Sequence, residues 1–182
     1  MENNKTAGIN SLFIDSIRTK QACIDQGLQC IVKMGDGIAE SVKQKGKILL
    51  CGNGGSAADA QHLAAEMLVR LRPENNREGV AAITLAQDTS TITACGNDFE
   101  YKVLYERTLK TLGRRGDCLI GITTSGNSEN VILAMKAAKE MGIRVYGFLG
   151  SGGGKALEYC DEVFIVPSYD TGRIQEEIGR AH

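Results

Sequence analysis

The stretch Lys47-Ile-Leu-Leu-Cys-Gly-Asn-Gly-Gly-Ser-Ala-Ala-Asp-Ala-Gln-His-Leu-Ala-Ala-Glu66 reads as a buried strand, a glycine-rich turn and a helix. Residues 48–51 form a short apolar run, as expected of a strand covered on both faces. Gly52, Gly54 and Gly55 leave the turn free of Cβ atoms, so its backbone N–H groups can approach a bound group closely. Ser56 followed by Asp59 has the spacing of a capping box, which predicts that the helix starts there. A helix start of this kind offers free N–H groups and a positive dipole end to an anion. Further along, His62 and Glu66 stand four apart and share one helix face.

Outward from this unit, strand and helix signals alternate. Strands are expected at 48–51, 80–85, 117–122, 143–148 and 162–166. Helices are expected at 57–71, 90–94, 99–112 and 129–141, with another starting at 172. Such alternation predicts an α/β fold, a doubly wound, five-stranded parallel sheet with helices on both faces. Two helices precede it, 10–34 and 38–45, separated by Gly35 to Gly37. The apolar stripe of the first (Leu12, Phe13, Ile17, Ile24, Leu28, Ile31) favours a partner surface over a solvated face. The 182 residues are expected to form a single domain, residues 1–45 as N-terminal helices and 46–182 as the α/β core.

Bulk properties narrow the function. A net charge of −1 without basic or acidic runs points away from nucleic acid. The apolar runs are too short to span a membrane and the N-terminus does not read as a signal peptide, so a cytoplasmic location is expected. The six cysteines show no metal or redox spacing and are expected to be reduced and mostly buried.

Three turns sit at strand ends, where ligands bind in such folds. The first fits the dinucleotide pattern G-x-G-x-x-A, but strand two ends in Leu85-Ala86 without the acidic residue that ribose binding needs. No Gly-Lys-Ser/Thr of a Walker loop is present. In the second turn Thr123, Thr124, Ser125 and Ser128 place four hydroxyls around Gly126. Helix capping needs one hydroxyl; four suit a compact phosphate monoester. The third is Gly150-Ser-Gly-Gly-Gly154. His62 and Glu66 suit metal ligation or acid–base work, with a structural histidine as the plain alternative.

Cys51-Gly-Asn-Gly-Gly-Ser56, His62 with Glu66, Gly96-Asn-Asp-Phe99, Thr124-Ser-Gly-Asn-Ser128 and Arg173-Ile-Gln-Glu176 occur in this order. Together they resemble the sugar isomerase (SIS) domain, a flavodoxin-like fold, and within it the family of sedoheptulose 7-phosphate isomerases. The resemblance implies interconversion of sedoheptulose 7-phosphate and D-glycero-D-manno-heptose 7-phosphate, the entry to ADP-heptose for the lipopolysaccharide core. It also implies a homotetramer with active sites at subunit interfaces and one Zn(2+) per subunit. By position, His62, Glu66 and Gln175 match zinc ligands, and Glu66 the catalytic base. Asn53, Gly54, Gly55, Ser56, Glu66, Arg70, Asn97, Asp98, Thr123, Thr124, Ser125, Ser128 and Gln175 match substrate-binding positions. The family's further zinc ligand and acid/base, a histidine eight residues after the glutamine, would fall at position 183. The expectation is either that His182 takes both roles in a shifted register or that the second group is lost. The competing reading is a non-catalytic SIS protein that binds the replication initiator. That relative lacks the carboxylate at the Glu66 position and has Thr in place of Gly55.

Overall fold

The computed structural model describes residues 2–86 and 88–180. Five strands among these residues form one all-parallel sheet: β1 (Ile48–Gly52), β2 (Ala82–Thr84), β3 (Cys118–Thr123), β4 (Arg144–Leu149) and β5 (Glu162–Ile165). Their order is β2-β1-β3-β4-β5. Seven α-helices flank them: α1 (Glu2–Asp25), α2 (Gln29–Lys43), α3 (Gly55–Leu68), α4 (Thr89–Asp98), α5 (Leu104–Leu112), α6 (Glu129–Met141) and α7 (Thr171–Ile178).

Alternation along the central strands builds two cores. Ile48 and Leu50 of β1, with Ile120 and Ile122 of β3, face α2, α3 and α7. Leu49 and Cys51, with Leu119, face α4, α5 and α6. This is the doubly wound architecture expected from the alternating signals. The chain leaves β1 for α3 on one face and β3 for α6 on the other, so their connections diverge. The crevice between the carboxyl ends of β1 and β3 is the topological switch point of the sheet. At the opposite end the buried Asp117 carboxylate fastens these strands, accepting from Lys47 N at 3.0 Å, Lys47 Nζ at 2.6 Å and Arg114 N at 2.8 Å.

Several boundaries differ from expectation, each for a local reason. The N-terminal break falls at Gly27, not at Gly35 to Gly37, because Gly27 takes the left-handed conformation (φ 87°) that ends a helix. Gly37 lies inside α2, where a Cβ would come within 2.0 Å of the Tyr146 hydroxyl; this glycine serves close packing. Strand β2 is shorter than 80–85, since Val80 N–H bonds Met67 O at the end of α3. Helix α4 begins at the Asp88 cap, whose carboxylate accepts from Thr91 N at 2.7 Å, and runs through Gly96 to Asp98. The expected helix 99–112 is instead a 3₁₀ turn at Tyr101–Val103 followed by α5, after an extended Glu100.

The capping box at Ser56 is also corrected. Gly54 (φ 56°) precedes the first turn of α3, with no side-chain cap. The Ser56 hydroxyl turns instead to Gln175. All six cysteines are free thiols, with Cys30 and Cys160 half-buried and the others buried. Among the described residues, no helix is long and apolar enough to cross a membrane.

Candidate active site

The site grows from the two turns at the β1–β3 crevice. Asn53 follows β1, and its amide pairs reciprocally with that of Asn130 in the first turn of α6. Asn53 Nδ2 donates to Asn130 Oδ1 and Asn130 Nδ2 donates to Asn53 Oδ1, both at 2.9 Å. Tyr101 OH donates to Asn53 Oδ1 at 2.9 Å. Tyr105 OH donates to Gly52 O at 2.5 Å and passes 3.3 Å from Asn53 Oδ1. Burial pushes the Tyr105 phenol well above its ordinary range, so it stays a donor. One small network therefore ties the end of β1 to the start of α6.

In the second turn, Thr123 Oγ1 meets Ser128 Oγ at 2.9 Å and Ser125 Oγ at 3.4 Å. Ser125 Oγ accepts Asn127 N at 3.1 Å. Ser128 stands at the cap position of α6 but makes no side-chain cap bond. The hydroxyls are thus turned to one another, and the side chain at the cap position leaves the start of α6 without a side-chain cap. Thr124 is half-buried beside them.

The third glycine-rich turn buttresses the second. A Cβ on Gly126 would lie 2.1 Å from Gly153 O, and one on Gly154 would lie 2.6 Å from Gly126 O. Ala156 N bonds Gly126 O at 2.9 Å, and Lys155 N bonds Asn127 Oδ1 at 3.2 Å.

Along α3, Gly55, Asp59, His62 and Glu66 fall on one face. Gln175 of α7 lies over its first turns. It accepts from Ser56 Oγ at 3.1 Å, donates to Asp59 Oδ2, and would touch a Cβ on Gly55 at 3.2 Å. His62 Nε2 meets Glu66 Oε1 at 3.0 Å. Glu66 Oε2 is buried with no hydrogen-bond partner among the described residues. Such an orphaned oxygen beside an imidazole fits a metal ion or a substrate proton. His62 and Glu66 supply two donors; no group of three or more His, Cys, Asp or Glu that could hold a metal occurs among the described residues. His182 lies outside the described residues.

Arg70 is exposed two residues beyond α3. Asn97 Nδ2 donates to Asp98 Oδ1 at 2.8 Å, and this exposed pair bonds itself rather than the turns. The sequence reading missed Asn130, Tyr101, Tyr105 and Arg77. Arg77 donates to Glu66 O and Met67 O, at 2.8 and 2.9 Å, and holds the loop after α3 against the helix end that carries Glu66. Asn130 was detectable, being a polar residue on the stripe with Ala134, Ala137 and Ala138 that α6 buries.

Residues 13–150 match the SIS domain family. The chain is similar to a phosphoheptose isomerase from Clostridium acetobutylicum, 48% identical over 92% of this chain and 86% of that protein. It is similar in structure to the phosphoheptose isomerase of Neisseria gonorrhoeae, with a TM-score of 0.90 and 40% identity over 97% of this chain and 93% of that one. A phosphoheptose isomerase from Francisella tularensis aligns over the same shares with a TM-score of 0.92 and 32% identity. With its switch-point turns, its hydroxyl-rich second turn and these relatives, the chain belongs to the SIS domain family and, within it, to the phosphoheptose isomerases.

Proposed function

We propose that this protein interconverts sedoheptulose 7-phosphate and D-glycero-D-manno-heptose 7-phosphate, supplying heptose for the lipopolysaccharide core from the cytoplasm. The observation that carries the reading is Glu66. One of its oxygens lies on His62 and the other is buried without a partner among the described residues, on the helix that leaves the first turn. An aldose–ketose isomerase must take a proton from the carbon beside a carbonyl and return it to the neighbouring carbon. A desolvated carboxylate does this, while a second group exchanges protons at the oxygens.

The phosphate is taken by the Thr123, Thr124, Ser125 and Ser128 turn and the N-terminus of α6. The sugar then runs along the α3 face, past Asn53, Gly54, Gly55 and Ser56. Zinc is proposed at His62 and Glu66, with Gln175 released from Ser56 and Asp59 to join them; when bound it polarises the substrate oxygen beside the reacting carbons.

The protein is proposed to act as a homotetramer. Ile9, Leu12, Phe13 and Ile17 are exposed along α1, as are Leu68, Val69 and Leu71 just beyond Glu66. Exposed apolar patches of this kind mark association surfaces. They support an interface next to the proposed base.

The test is turnover of sedoheptulose 7-phosphate with added zinc. Formation of the aldose product is expected. No turnover at any metal loading, with the sugar phosphate still bound, would shift the assignment to a non-catalytic binding protein.

A further inference from the structure

We propose that Asn130 and Tyr101 are positioning residues that fix the Asn53 amide so that it meets the sugar phosphate as a hydrogen-bond donor. This rests on the isomerase reading above and adds the polarity of one of its contacts. The orientation has a definable origin. Val131 N, a backbone donor with no alternative role, donates to Asn130 Oδ1 at 3.0 Å. That bond settles which end of the Asn130 amide is oxygen. The reciprocal pair passes the setting on, since Asn130 Oδ1 accepts from Asn53 Nδ2 while Asn130 Nδ2 donates to Asn53 Oδ1.

Tyr101 OH supplies a second donor to Asn53 Oδ1. A carbonyl oxygen has two lone pairs; Asn130 and Tyr101 engage both, and Tyr105 OH, 3.3 Å away, makes its shorter bond to Gly52 O. Asn53 Nδ2 has two N–H bonds and gives one to Asn130. Among the described residues the other has no acceptor, and Asn53 is half-buried at the mouth of the crevice. The group offered to a ligand is therefore an N–H. It suits a carbonyl, enediolate or hydroxyl oxygen and cannot accept from a sugar hydroxyl. Asn130 is only 4% exposed and Tyr101 is half exposed, so the amide is held from beneath by one and from the rim by the other.

The experiment is a double-mutant cycle on kcat/KM for sedoheptulose 7-phosphate in the full chain with added zinc. Tyr101→Phe removes one oxygen from a half-exposed ring and leaves the core intact. It is expected to lower kcat/KM about fivefold to tenfold, and by less than about twofold in an Asn53→Ala background, because its effect passes through Asn53. An equal loss in both backgrounds, or no loss in the native one, would overturn the positioning role. Asn53→Asp keeps the shape and the acceptor but removes the donor. It is expected to fall at least as far as Asn53→Ala, and an Asp variant that outperforms Ala would show that Asn53 accepts. In the free protein, asparagine-selective NMR should find one Nδ2 proton of Asn53 protected from water exchange and the other fast. Equal exchange would overturn the orientation. A wild-type protein that shows this asymmetry but no turnover would refute the isomerase reading while leaving the amide orientation standing.

Discussion

Glu66 is the proposed base at the scale of single residues, and its environment supports that role. Its carboxylate is largely withdrawn from water, with one oxygen on His62 and the other unpartnered among the described residues. Glu66→Gln preserves volume and hydrogen-bonding reach but removes the base. It is expected to lower kcat by at least about a hundredfold, with the affinity for the sugar phosphate in calorimetry changed only a few-fold. Turnover near the wild-type level would remove Glu66 from the role of base. Cys51 shows the opposite use of burial. Desolvation pushes its thiol up to about 12, so it remains protonated and inert at neutral pH. The residue types of the pair His62 and Glu66 were visible at helical spacing. The orphaned oxygen was not, because burial of one atom depends on what packs over the helix.

Glycines at the turns do different work at the scale of elements, and the sequence alone does not distinguish them. Gly126 combines a left-handed φ of 65° with a carbonyl 2.1 Å from where a Cβ would sit. That neighbour is backbone of the third turn and cannot rotate away. Gly126→Ala is therefore expected to cost about 3 kcal/mol in a urea unfolding series and to weaken phosphate binding as the Thr123–Ser128 cradle shifts. A stability change under about 0.5 kcal/mol would show that the two turns are not packed as described. The run Gly150 to Gly154 read as a third ligand turn, yet within this chain it serves as the support on which the second rests.

Two predictions belong to the whole molecule. The first concerns the proposed association: Phe13 and Ile17 are 69% and 64% exposed on α1, an apolar stripe of the kind that marks association surfaces. Ile17→Asp is expected to reduce the proposed tetramer to smaller species in light scattering, with the helical circular dichroism retained. An unchanged mass would place the interface elsewhere. The second is alkaline stability. Cys51 and Cys160 are both raised to about 12 by burial, above the 9.0 of a free thiol. Between those values the unfolded chain releases thiol protons that the folded chain keeps. Stability is thus fully present below about pH 9 and is lost as pH rises towards 12. Urea melts at stepped pH should show this decline, with a shallower slope in Cys51→Ala. Identical slopes would mean that the buried thiol does not set it.

The alternation of apolar runs with helical periods was enough to determine a five-stranded parallel sheet with helices on both faces. The reason is that a strand covered on both faces must be apolar throughout, and β1 and β3 are. The same holds for the hydroxyl-rich turn and the His62–Glu66 pair, whose chemistry lies in residue type and short spacing. Helix ends were less legible, because Gly27 and Gly37 look alike as letters and differ only in φ and in what approaches them. Only the tertiary structure decided that the third turn supports the second. It also turned Ser56 from a cap into a partner of Gln175, 119 residues away. It brought Asn130, Tyr101 and Tyr105 to Asn53 from separate elements. Such contacts depend on how α3, α6 and α7 pack around the sheet, and hydrogen bonds between residues distant in the chain have no local signature by which to read them.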